Sequence, residues 1–270
     1  MAAKSPSGLG QTCTDRLHEL RKDMIHEQEK EAIHKFRVTY KKMRALFRMM
    51  DVLEKGQGIK IKKGWKKIYR AAGAVRDNQL MQEMAAQQFG SKSLAEFLEG
   101  QEILHSKNLA AVLDDVDPGK MDFQQWKHPA DKDYDFYFHE MISVWMLQVL
   151  EPLYDDNLHA LRKILKDIMY NKAWLDEMEV EPSALLTLLP ADEIDRVQKL
   201  LGDNQDRVMQ TNFIRKIAVL PMLSRDSQML EDWIQQSFNK SKADRHEIEK
   251  NIRALTDQFS AANRKAYLKS

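Results

Sequence analysis

The sequence predicts an all-α fold, and three observations carry that expectation. From about Thr14 onward, apolar residues recur at three- and four-residue spacing almost without interruption. Glycine and proline are few, 10 and 7 in 270 residues, and most of them fall at plausible boundaries of these periodic runs. No stretch alternates apolar and polar residues with the period of two that a half-buried strand requires. The runs themselves are rich in Leu, Met, Ala, Glu, Lys and Gln, side chains that lose little freedom in a helix.

Taken in chain order, residues 1–12, with Ser5, Pro6, Ser7, Gly8 and Gly10, are expected to form a flexible leader. Residues 13–115 form a first helical half, broken near Gly56, Gly58, Gly64 and Gly90. Residues 116–132, where Pro118, Gly119 and Pro129 sit among charges, are expected to link it to a second half over 133–270. That half is punctuated by Pro152, Pro182, Pro190 and Pro221. The two halves are expected to make one domain spanning 13–270. Its 43% apolar content suffices for a packed core without a disulfide or a metal.

Cys13 is the only cysteine and has no partner for an intramolecular bridge, and the first twenty residues lack a secretory pattern. A cytoplasmic protein is therefore expected. The longest apolar stretch, Met141 to Leu150, is interrupted by Ser143 and Gln148 and is about half the length that spans a bilayer. No membrane segment is expected.

The formal net charge of +1 conceals two opposed fields. Between Ile33 and Arg76 there are 14 Lys and Arg against 2 Asp and Glu, a net of +12. Between Asp77 and Asn157 there are 5 against 16, a net of −11. The positive segment also holds one copy of an internal repeat. Ile33-His34-Lys35-Phe36-Arg37 aligns with Leu158-His159-Ala160-Leu161-Arg162, placing Lys41 opposite Lys166. Gly73 and Asp77 align in turn with Gly202 and Asp206, so that 43 residues separate His34 from Asp77 and 47 separate His159 from Asp206. A duplicated helical bundle would produce this pattern.

With His34 at zero on a helix advancing about 100° per residue, Arg37, Lys41, Arg44 and Arg48 fall at about −60, −20, −80 and −40°. Phe36, Tyr40, Met43, Leu46, Phe47 and Met50 lie opposite, at roughly 120 to 240°, and form the expected core face. In the second copy Arg162, Lys163, Lys166 and Tyr170 surround His159, with Leu161, Ile164, Leu165 and Ile168 opposite. Charged helix faces are commonly just solvated, but they then mix signs. No acid occurs between His34 and Arg48, so like charges repel at successive turns unless a bound anion compensates them. Lys42 stands beside the first stripe, and Lys60, Lys62, Lys63, Lys66, Lys67 and Arg70 extend the positive surface along the next helix. Arginine offers phosphate oxygens a planar fork and lysine a mobile point charge, a mixture suited to an extended phosphate polyanion.

At these residues the sequence resembles the CHAD family, the conserved histidine α-helical domain. The pattern of that family is a helix opening with His, two residues and Arg, then bases at the following turns, a later Gly and Asp, and a repeat of the whole. The first copy here is His34 to Arg37, continuing to Lys41, Lys42, Arg44 and Arg48, then Gly73, Arg76 and Asp77. The second is His159 to Arg162, continuing to Lys166 and Tyr170, then Gly202 and Asp206. The likeness runs from about residue 14 to 265. It implies two helical bundles related by a pseudo-two-fold axis, enclosing a basic groove or pore that binds inorganic polyphosphate; neither catalysis nor a cofactor is expected. The second copy departs from the pattern: Asp167 stands opposite Lys42 and Met169 opposite Arg44, so weaker binding is expected there. Asp77 and Asp206 are expected to be structural, accepting from helix amides or orienting a nearby Arg.

Three other functions compete. Some members of the family carry a triphosphatase domain whose signature is Glu-x-Glu-x-Lys; here Glu177, Glu179 and Glu181 are followed by Pro182 and Ser183, with no Lys to complete it. A Gly-rich phosphate loop ending in Lys-Ser/Thr is also absent from the sequence, so a phosphohydrolase is disfavoured. Glu31 with His34 and Asp156 with His159 have the spacing of di-metal helical bundles, but the Arg and Lys sharing that face would repel a cation. Nucleic acid is the closest alternative ligand, since a basic stripe neutralises any phosphate backbone. Against it, Phe36, Tyr40 and Phe47 face the core rather than interleaving with the bases.

Overall fold

The computed structural model describes residues 5–26, 30–56, 60–123, 126, 129–181 and 184–267. Within them the fold is all-α, with nine α-helices and one 3₁₀ turn. The expected breakers Gly58 and Pro182 lie outside the described residues, as do residues 1–4 of the expected leader. The chain divides into two compact units, Met1–His128 and Pro129–Ser270.

In the first unit, α1 runs from Pro6 to His26, so most of the expected leader is helix. The residues that suggested a loose segment are start signals instead. The Ser5 hydroxyl accepts from the Gly8 amide at 3.1 Å, and Pro6 supplies a preset φ in the first turn. Leu9, Cys13, Leu17, Leu20 and Met24, spaced by three or four, are buried along one side. Helix α2 (Lys30–Leu53) follows, with Ile33, Phe36, Tyr40, Met43, Leu46, Phe47 and Met50 buried as its periodicity required. It stops where Lys55 and Gly56 take left-handed φ values of 54 and 80°, and the Gly56 amide closes back on Asp51 O at 2.8 Å. Helix α3 (Lys63–Gln88) packs on α2 and on α4 (Lys92–Asp115). Trp65 of α3 is fully buried with its ring edge-on to His18 at 4.8 Å, tying α1 to α3. Ser91 caps α4 by accepting from the Leu94 amide at 3.0 Å.

Residues 116–123 and 126, expected to belong to a linker, are largely folded onto this unit. Met121, Phe123 and Trp126 are buried, and Phe47 meets Phe123 and Trp126 edge-on at 5.7 and 5.0 Å. A side chain on Gly10 would collide with the Phe123 ring at 2.6 Å, and one on Gly64 with Pro118 Cα at the same distance. The apolar content of the segment, outweighed in the sequence by its Pro, Gly and charges, decides its placement.

The second unit comprises α5 (Asp131–Leu150), α6 (Asp155–Glu177), the short α7 (Ala184–Leu188), α8 (Ala191–Ile217), the 3₁₀ turn Pro221–Asp226 and α9 (Ser227–Tyr267). Acids open three of these helices: Asp131 and Asp133, Asp155 and Asp156, Asp192 and Glu193, each complementing the positive end of the helix dipole. Phe259 of α9 packs edge-on against Trp145 of α5 at 5.7 Å, and Trp145 Nε1 donates to Thr256 Oγ1 at 3.0 Å. Asn171 of α6 is fully buried and donates to the Tyr137 hydroxyl at 2.7 Å, which fixes α6 against α5. Among the described residues, no helix is long and apolar enough to cross a membrane.

Candidate polyanion site

The core face of α2 determines which side chains it leaves outside. His34, Lys42, Arg44 and Arg48 are exposed, while Arg37 and Lys41 are half-buried. The stripe is therefore on the surface, but its members are not equivalent.

Arg37 is turned inward. Its guanidinium lies against Gly73 of α3, in space that any Cβ there would fill. Its Nη2 donates to Asp77 Oδ1 at 3.4 Å, and its Cζ sits 5.1 Å from the centre of the Tyr69 ring. This contact gives Gly73 and Asp77 their roles: the glycine clears a path for the guanidinium and the carboxylate, one helical turn later, receives it. Asp77 thus orients an arginine, one of the two structural roles expected for it.

Beyond Arg37 the α2–α3 seam opens into a cleft of about 490 Å³. Arg44 and Arg48 line it from α2, Lys66 and Arg70 from α3, and Lys60 from the connection; Asp51 is the single acid. No carboxylate among the described residues pairs with Arg44, Lys66 or Arg70. Tyr40 and Tyr69 form one wall, stacked at 4.4 Å and 22°. Burial pushes the Tyr40 phenol above its ordinary value, with Tyr69 raising it further and Arg44 and Arg70 opposing, so its hydroxyl remains a donor. Tyr40 and Phe47 are buried, as expected, yet both also reach the cleft. Tyr69 and Asp51 were not among the candidate site residues, and Lys60 was expected only as part of the positive surface that follows the stripe. The signal for Tyr69 was present: it lies three residues after Lys66 and so shares a face with it.

The other candidates of this unit lie elsewhere. His34, Lys41, Lys42, Lys63 and Lys67 do not line the cleft, although Lys63 and Lys67 are exposed on the first turns of α3. Arg76 faces Glu83 at 3.7 Å. Glu31, the acid that suggested a metal pair with His34, instead pairs with Lys35 at 3.4 Å. Among the described residues no three His, Cys, Asp or Glu side chains are grouped as a metal ion would need.

In the second unit the aligned arginine and glycine are again in contact. The Arg162 guanidinium lies over Gly202 of α8, where a Cβ would meet Nη2 at 3.3 Å. Its Nε is buried without a hydrogen-bond partner, and so is His159 Nδ1. Burial, then Lys163 and Arg162, lower the His159 pKa, against a hydrogen bond between the ring and Gln205 and the charge of Asp156. Lys166 is also lowered, by burial and by Arg162, with Asp206 opposing. Lys163 is exposed and Tyr170 half-buried on the same side of α6. Gln205 was not anticipated; it lies on α8 three residues after Gly202, within reach of the histidine ring. The two unpartnered buried nitrogens, and the charged forms of His159 and Lys166 disfavoured by their surroundings, give this face unmet capacity for an anion.

The profile of the CHAD domain matches residues 9–215. The crystal structure of the CHAD domain from the plant Ricinus communis superposes with a TM-score of 0.68 over 94% of this chain and 92% of that one, at 13% identity. At that identity the likeness is one of fold alone. No curated protein matches. With more than half of the chain matched by the profile, and Arg37 of the motif in contact with its Gly73 and Asp77, this protein belongs to the CHAD family.

Proposed function

We propose that the protein binds inorganic polyphosphate, along the α2–α3 cleft of the first unit and the α6 face of the second, and that it does so without turnover. The observation that carries this reading is the cleft: five cations against one acid, three of the cations without a carboxylate partner among the described residues. Close like charges cost stability in the free protein, and a polyanion that neutralises them recovers it. Arg44, Arg48 and Arg70 present forked donors to non-bridging oxygens, while Lys60 and Lys66 adjust to their spacing. In the second unit, Arg162 Nε and His159 Nδ1 are donors or acceptors awaiting a partner, and Lys163 and Lys166 add charge beside them.

Titration of polyphosphate at low salt tests the proposal. Charge reversal of Arg44, Lys66 and Arg70 together is expected to weaken binding about 100-fold or more, because three charge-assisted contacts become repulsions. These residues are preferred to Arg37, whose reversal would also break the contact with Asp77 and Tyr69. Competition against single-stranded nucleic acid of equal phosphate content separates the two polyanions. Tyr40 is buried and stacked on Tyr69, which leaves little platform for a base. Undiminished binding by the triple variant, or displacement of polyphosphate by the nucleic acid, refutes the reading.

A further inference from the structure

We propose that the second unit carries a separate small-molecule site at the seam of α8 and α9, and that its ligand is a nucleoside monophosphate. A cleft of about 300 Å³ lies there, beside the first turn of α6. It is lined by Arg215, Lys242 and Arg245, with Asp155 as its single acid. Arg245 takes up that acid at 2.6 Å and also donates to Leu153 O, so it is fixed in place and Asp155 is neutralised. Arg215 and Lys242 are exposed, and no carboxylate among the described residues pairs with either. Two positive charges are therefore uncompensated in a small concavity, which suits the dianion of a phosphate monoester.

The remaining lining specifies the rest of the ligand. Phe238 is 58% exposed, whereas Phe259 on the same helix is fully buried. Phe238 precedes Lys242 by four residues and Arg245 by seven, so the ring and both cations share one face of α9. An exposed aromatic ring lining the same cleft as the cations offers a stacking surface for a flat heterocycle attached to the phosphate. Thr211 and Asn212 contribute neutral polar groups of the kind that hold a sugar. The volume is at the lower end of small-molecule sites, roughly 300–1,000 Å³, and suits one nucleotide rather than a long chain.

This site is distinct from the α6 face. With Gly202 at zero on α8, Gln205 and Asp206 lie within about 60° of it, whereas Val208, Thr211, Asn212 and Arg215 lie at about 180 to 280°. The two sets occupy different sides of the helix.

Calorimetric titration of the full chain with adenosine and uridine monophosphates, the parent nucleosides and inorganic phosphate tests the inference. At least one nucleotide is expected to bind tenfold or more tightly than its nucleoside and than phosphate. The variant R215E/K242E, altered only at exposed positions, is expected to lose tenfold or more in nucleotide affinity with unchanged helicity. F238A is expected to lose nucleotide affinity about threefold and to leave phosphate affinity unchanged. R44E/K66E/R70E keeps nucleotide binding, whatever it does to polyphosphate, so failure of one proposal is distinguishable from failure of the other. The inference is overturned if neither nucleotide binds more tightly than phosphate, if R215E/K242E binds normally, or if the first-unit triple variant abolishes nucleotide binding.

Discussion

Gly73 and Gly202 occupy aligned positions, yet the space around them differs, and so do the expected effects of replacing them. Alanine is the better helix former by about 1 kcal/mol at a mid-helix position. At Gly202 the Arg162 guanidinium is 3.3 Å from an added methyl and yields slightly, so Gly202→Ala is expected to stabilise the protein by roughly 0.5–1 kcal/mol in urea unfolding. At Gly73 the methyl displaces the Arg37 guanidinium from Asp77 and Tyr69, contacts worth about 1 kcal/mol, so Gly73→Ala is expected to leave stability within about 1 kcal/mol of the parent. Lys166 shows a related opposition. Burial disfavours its charge, so Lys166→Met is expected to raise Tm by roughly 1–3 °C while weakening polyphosphate binding. His159 sets a pH dependence with a definite sign. Its folded pKa lies below the ordinary 6.5, so the unfolded chain takes up the proton first and this group costs stability as pH falls through that value. An anion beside the ring raises its pKa again, so polyphosphate affinity should increase from about pH 7 to pH 5, and His159→Gln should flatten that rise. A wild-type profile that is flat or falls on acidification would place the ligand away from His159.

At the scale of the element, α2 shows how one periodicity builds both the core and the site. The residues that bury Phe36, Met43 and Met50 leave Arg44 and Arg48 one turn apart on the outer side, where they repel. Arg44→Glu relieves that repulsion and is expected to raise Tm by roughly 1 °C in the free protein, whereas added polyphosphate should stabilise the parent far more than the variant. Thermal scans with and without ligand read both effects. The stripe was legible because helical spacing alone fixes which side chains share a face. Its internal division was not. His34, Arg37 and Arg44 are equivalent in the helical projection, but Arg37 is drawn inward by Gly73 and Asp77 on another helix, and Arg44 reaches the cleft only because Lys66 and Arg70 line its other side.

For the whole molecule, the two units pose the question of where the first one ends. The sequence placed that end at residue 115, because the next segment combines Pro118 and Gly119 with several charges. In the structure Met121, Phe123 and Trp126 complete the core around Phe47 and Gly10. A fragment of residues 1–128 is accordingly expected to unfold cooperatively. One ending at 115 should lose several kcal/mol, or fail to fold, through the loss of three buried side chains. Circular dichroism melts of the two fragments check this, and equal stability would mean that the aromatic cluster contributes little.

The sequence by itself determined the all-α class, the core face of each motif helix and the concentration of positive charge between residues 33 and 76, because these depend on local periodicity and composition. Tertiary structure decided which cations face a common cleft, why a glycine accompanies each motif arginine and an aspartate Arg37, and that residues 6–12 and Met121, Phe123 and Trp126 are parts of the first unit. Those outcomes depend on which surfaces meet after the helices pack, and burial against a partner distant in sequence has no signature in the local pattern.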